Sequence, residues 1–131
     1  MVGAHAVAFH ARPRATKDLD LFIDPDPENA ERVLAAIRDF FGGADLGLTV
    51  KDLSTPGSIV QLGIAPARID LLSRLAGGID FSVAWERRVQ ASFGTVETCY
   101  LSLDDLIREK TSSGRAQDRV DVRSLRKAQK S

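Results

Sequence analysis

Asp18-Leu19-Asp20-Leu21-Phe22-Ile23-Asp24 decides how the chain is read. Acidic and apolar residues alternate from Asp18 with the two-residue period of a β-strand, so Asp18 and Asp20 share one face while Leu19, Leu21 and Ile23 share the other. Two carboxylates therefore look out together from one strand. Just ahead lies Arg12-Pro13-Arg14-Ala15-Thr16-Lys17, a basic stretch with one hydroxyl. Pro13 ends any preceding helix, so Ala11 to Lys17 is expected to be a connecting loop. Arg12, Arg14, Thr16 and Lys17 either hold phosphate oxygens beside the acids or pair with Asp24 and Asp26.

Upstream, Val2 to Phe9 is apolar and alanine-rich after Gly3, as expected of a tightly packed helix entered through a glycine turn. Downstream, Asp26 is a candidate N-cap, Pro27 suits the first helical position and Glu28 suits the dipole. A helix is expected from Pro27 to Phe41, with Ala30, Val33, Leu34, Ile37 and Phe41 on its apolar face, stopped by Gly42-Gly43. Thr49 to Leu53 reads as a short strand. Ile59–Ile64 and Ala67–Ser73 read as an antiparallel hairpin about Ala65-Pro66. Within the second of these strands Asp70 stands between Ile69 and Leu71, where an unpaired carboxylate would be costly to bury. Phe81 to Val89 is ambiguous between helix and strand, and Thr95 to Leu101 alternates as a strand. Ser102 caps a helix that carries Lys110 and stops at Gly114, and a last helix is expected over Gln117–Gln129. These elements predict one α/β (α+β) domain over residues 1–131, a mixed, largely antiparallel sheet packed against helices.

Bulk composition narrows the function classes. The 131 residues are 44% hydrophobic and 27% charged, in the globular range. No apolar run approaches the roughly 18 residues of a membrane span, and the first residues lack the build of a signal peptide, so a cytoplasmic location is expected. The net charge of +0 argues against non-specific binding to long nucleic acid. Its distribution is uneven: Asp18 to Glu31 is acidic, and Arg115 to Lys130 is basic. The basic helix face of Arg119, Arg123, Arg126 and Lys130 reads as solvent-exposed charge. The single cysteine, Cys99, reads as a small core residue, and Phe81 and Trp85, four apart, as a core pair. His5 and His10 do not share a helical face and read as structural. No serine has a base partner that would support Ser-His-Asp hydrolysis.

Asp18 and Asp20, joined by Asp70 from a neighbouring strand, would form the oxygen-rich set that Mg²⁺ (or Mn²⁺) prefers. The competing reading is a solvated sheet face, with Asp70 paired to an arginine such as Arg68. Lys110 is either a triphosphate contact or an ordinary exposed lysine.

Gly3-Ala4, a short helix, then Arg14-Ala15-Thr16-Lys17-Asp18-Leu19-Asp20 and a later lone Asp70 resemble the DNA polymerase β-like nucleotidyltransferase superfamily, and within it the small bacterial nucleotidyltransferase-like proteins. Lys110, Ser113-Gly114-Arg115, Asp118 and Asp121 resemble the C-terminal signature of those small proteins. The resemblance implies Mg²⁺-dependent transfer of a nucleotidyl group from a nucleoside triphosphate to an unidentified hydroxyl acceptor. It implies Asp18, Asp20 and Asp70 as metal-binding catalytic residues, with Gly3, Ala4, Arg14, Thr16 and Lys110 toward the nucleotide. It equally accommodates a non-catalytic protein of the same fold that binds a nucleotide or a partner, such as the antitoxin half of a toxin–antitoxin pair. The superfamily places a helix and a full strand ahead of the glycine turn, where this chain has Met1 and Val2; a second copy could cover the sheet edge so exposed, which makes a homodimer one hypothesis.

Overall fold

The computed structural model describes residues 1–11, 18–63 and 68–130. The expected loop residues 12–17, and with them Arg14 and Thr16, lie outside the described residues, as does the expected turn at Ala65-Pro66. The chain runs through α1 (Gly3–His10), β1 (Asp18–Phe22), α2 (Pro27–Phe40), α3 (Val50–Ser54), β2 (Ile59–Leu62) and β3 (Arg68–Leu72). It continues through α4 (Phe81–Glu86), β4 (Val89–Phe93), β5 (Val96–Tyr100), α5 (Leu103–Ser113) and α6 (Ala116–Gln129). The fold is α+β, as the sequence predicts.

Three strands form one sheet in the order β1-β3-β2, with β1 parallel and β2 antiparallel to the central β3. β4 and β5 form a separate antiparallel pair. Met1 and Val2 bridge the two sheets: the Val2 N–H donates to the Asp20 carbonyl at 3.0 Å, and the Leu101 N–H donates to the Met1 carbonyl at 3.0 Å. The Met1 ammonium donates to the Cys99 carbonyl at 2.7 Å.

Alternation along β1 and β3 divides the structure into two cores. Leu21, Ile69 and Leu71 turn to one face and pack with Ala30, Leu34 and Ile37 of α2 and with Leu53 of α3. Phe22 and Leu72 turn to the other face, against a cluster of Val2, Ala6, Val7, Tyr100, Leu101, Leu106 and Leu125 that joins α1, β5, α5 and α6. Asp18, Asp20 and Asp70 have the parity of Phe22 and Leu72, so they occupy the same face at its open end. The register pairs Asp20 with Asp70 and Asp18 with Arg68.

Two local expectations are corrected and one ambiguity is resolved. Thr49 to Leu53 is not a strand: Thr49 caps α3, accepting from the Asp52 N–H while the Asp52 carboxylate accepts from the Thr49 N–H at 2.8 Å. This reciprocal cap outweighs the β-propensity of Thr49 and Val50. The ambiguous Phe81–Val89 segment divides into α4 and the start of β4, a strand the sequence reading missed because Val89–Phe93 alternates weakly. Trp85 is not core. It is 47% exposed, stacked on Phe81, with the Arg88 guanidinium 4.0 Å above its ring. Elsewhere the local signals agree with the structure: Asp26 caps α2 with Pro27 at its start, and Ser102 caps α5.

Candidate functional site

The site begins at Gly3. This residue enters α1 at φ +68°, a conformation that costs L residues but not glycine. A Cβ there would lie 2.1 Å from Oδ2 of Asp20. Glycine is thus required twice over, by the turn and by the close approach of an acid to the helix start. Ala4 needs no such freedom, because among the described residues only glycines have positive φ, and it is buried.

Across from Gly3, the three acids converge. Arg68 Nη2 donates to Asp18 Oδ2 at 2.7 Å and to Asp70 Oδ2 at 3.1 Å, and Arg68 Nε donates to Asp70 Oδ1 at 2.9 Å. Asp20 pairs in register with Asp70. Asp70 is thus paired with Arg68, the second of the two sequence readings, and lines one cleft with Asp18 and Asp20. Burial, followed by the charges of Asp70 and Asp18, raises the pKa of Asp20 above the ordinary carboxylate value. The hydrogen bond to Asp70 holds the Arg68 guanidinium firmly charged.

The far wall comes from α5 and α6. Lys110 is not the exposed residue of the bland reading: it is 4% exposed, and its Nζ donates to Asp118 Oδ1 at 3.3 Å. Asp118 is equally buried, and its Oδ2 accepts from the Arg115 backbone N–H at 3.1 Å and from Arg115 Nε at 2.9 Å. Burial alone would raise the pKa of Asp118. Hydrogen bonds from Ser113 and Arg115 and the charge of Lys110 reverse that and hold it at about 2. Gly114, at φ +68°, ends α5 and turns the chain so that Arg115 meets Asp118.

Gly3, Asp18, Asp20, Arg68, Asp70, Glu109, Lys110 and Arg115 line one cleft of about 370 Å³. Ala4, Gln117 and Asp118 line its continuation along the starts of α1 and α6. A larger groove, about 550 Å³, runs along α6 between Arg123, Arg126, Lys127 and Lys130, and among the described residues none of its lining residues is acidic.

Of the residues predicted for the site, Asp18, Asp20, Asp70, Gly3, Ala4 and Lys110 come together. Arg68, Glu109 and Arg115 line the cleft as well, without having been assigned to it. Arg68 was legible as a partner of Asp70, and Arg115 belonged to the C-terminal pattern, but only packing brings α6 opposite β1. Oxygen donors of this kind suit a hard cation. Arg68, however, is bonded to Asp18 and Asp70, and among the described residues no group of three or more His, Cys, Asp or Glu side chains is arranged to hold a metal ion. Among the described residues no helix is long and apolar enough to cross a membrane. Neither the family models nor the curated proteins compared with this chain give a match.

Proposed function

We propose that this protein transfers a nucleotidyl group from a nucleoside triphosphate to a hydroxyl acceptor, with Mg²⁺ or Mn²⁺ held by Asp18, Asp20 and Asp70. The observation that carries this reading is the convergence of those three acids, from two adjacent strands, opposite the Gly3 turn and Lys110 in one cleft. The raised pKa of Asp20 reflects its burial and then the neighbouring charges of Asp70 and Asp18, which a divalent cation would offset. The ion would neutralise phosphate charge and lower the pKa of the acceptor hydroxyl. The residues supply the rest: the carboxylates would hold the ion that orients the reacting phosphate, and Lys110 offsets its charge. Arg68 must release Asp18 and Asp70 for the acids to act as ligands.

That requirement favours a second reading, a non-catalytic protein of the same fold that binds a nucleotide or a partner such as a toxin. In it, Arg68 permanently satisfies the acids as a structural ion pair. The two readings part on incubation with each labelled nucleoside triphosphate, Mn²⁺ or Mg²⁺ and candidate acceptors. The enzyme reading expects metal-dependent product in the wild type and none in Asp18→Ala. Absence of both metal-dependent nucleotide binding and product in the wild type would overturn it.

A further inference from the structure

Asp118 is bonded more fully than a helix cap requires. A cap needs only the Arg115 backbone N–H, yet the same carboxylate also holds Arg115 Nε and Lys110 Nζ. Its side chain is 3% exposed and that of Lys110 5%, whereas that of Arg115 is 74% exposed. A buried anion thus fixes one cation beneath the cleft wall and anchors a second that projects into it. The anchor is made through Nε. Among the described residues, neither terminal guanidinium nitrogen of Arg115 has a hydrogen-bond partner. Both stretches of the cleft that hold Gly3, Asp18, Asp20 and Lys110 are also lined by Arg115.

We propose that Arg115 is the polyphosphate-recognising residue of the cleft and that Asp118 is its positioning residue. The ligand class is a linear polyphosphate, free or as the triphosphate of a nucleotide; the nucleotide part of the statement rests on the function proposed above. A guanidinium presents paired N–H donors in a plane that matches two phosphate oxygens, which an ammonium cannot do. Pinning it at Nε removes rotamer freedom before the ligand arrives, so less entropy is lost on binding. The opposite wall carries Asp18, Asp20 and Asp70, which repel a polyanion. A fixed cation on the α6 side is what lets such a ligand settle in one orientation, with its terminal phosphates toward α6.

Isothermal titration of the full chain with inorganic tripolyphosphate and Mg²⁺ tests this. Arg115→Ala, which keeps the backbone cap, is expected to weaken binding at least about tenfold, as loss of a charged hydrogen-bonding pair does. Arg115→Lys recovers only part of the loss. Asp118→Asn weakens binding several-fold in a chain whose circular dichroism shows it folded, and Arg126→Ala, on the exposed face of α6, leaves it unchanged. Wild-type affinity in Arg115→Ala, an equal loss in Arg126→Ala, or no binding to the wild type would overturn the assignment. Tripolyphosphate binding through Arg115 in a protein that yields no nucleotidyl product would refute the transferase reading and leave the phosphate site standing. Product formation with undiminished polyphosphate binding by Arg115→Ala would do the reverse.

Discussion

At the scale of single residues, the site is where the chain departs from what folding alone would select. Asp20 is partly buried beside two other carboxylates, and its raised pKa means that its ionised form is worse accommodated in the folded than in the unfolded chain. The folded state therefore binds more protons just above the ordinary carboxylate pKa, and Asp20 works against folding as pH rises through that window and beyond. Asp20→Asn is accordingly expected to raise the melting temperature at pH 7, read by calorimetry. A lower melting temperature would contradict this reading of Asp20. Asp18-Leu19-Asp20 was legible as a two-faced strand because strand alternation is a property of local backbone geometry. The position of Arg68 between Asp18 and Asp70 was not, because it depends on a parallel pairing across fifty residues of chain.

At the scale of elements, two caps carry different weights. The five-residue helix α3 depends on the reciprocal bonds between Thr49 and Asp52 and buries Leu53 completely. Thr49→Ala should cost about 1 kcal/mol, measured as a shift of the urea midpoint at unchanged slope. No shift would mean that Leu53 packing alone holds the segment. At the joint of α5 and α6, Asp118 has a folded pKa of about 2, below its unfolded value of 3.8. Its contribution, about 2 kcal/mol, is present above pH 4 and is lost as pH falls toward 2. Asp118→Asn should remove that part of the acid dependence, so that the stability curves of variant and wild type converge below about pH 2. Parallel curves across pH 2–5 would contradict the assignment. The α3 helix was missed from sequence because Thr49-Val50 reads as strand until the side chain three residues on is counted. α2, in contrast, was legible through Asp26, Pro27 and its heptad-like apolar face.

At the scale of the whole molecule, Met1 and Val2 link the two sheets by backbone hydrogen bonds. Among the described residues the side of β1 away from β3 is paired at Asp20, by Val2, and such an edge invites a second strand. Two copies are expected to associate through it. Size-exclusion chromatography with light scattering should give the mass of a dimer at high protein concentration, and a monomer there would exclude this contact. By itself the sequence determined the α+β class, the two-faced carboxylate strand, the caps of α2 and α5 and the glycine turn at Gly3, since each follows from side-chain and backbone preferences spanning a few residues. Only the tertiary structure decided that β3 lies parallel to β1, that Arg68 stands between Asp18 and Asp70, and that Asp118 turns Arg115 toward them. Those relations come from packing two cores on opposite faces of one sheet, and the energy of such packing depends on residues far apart in the chain.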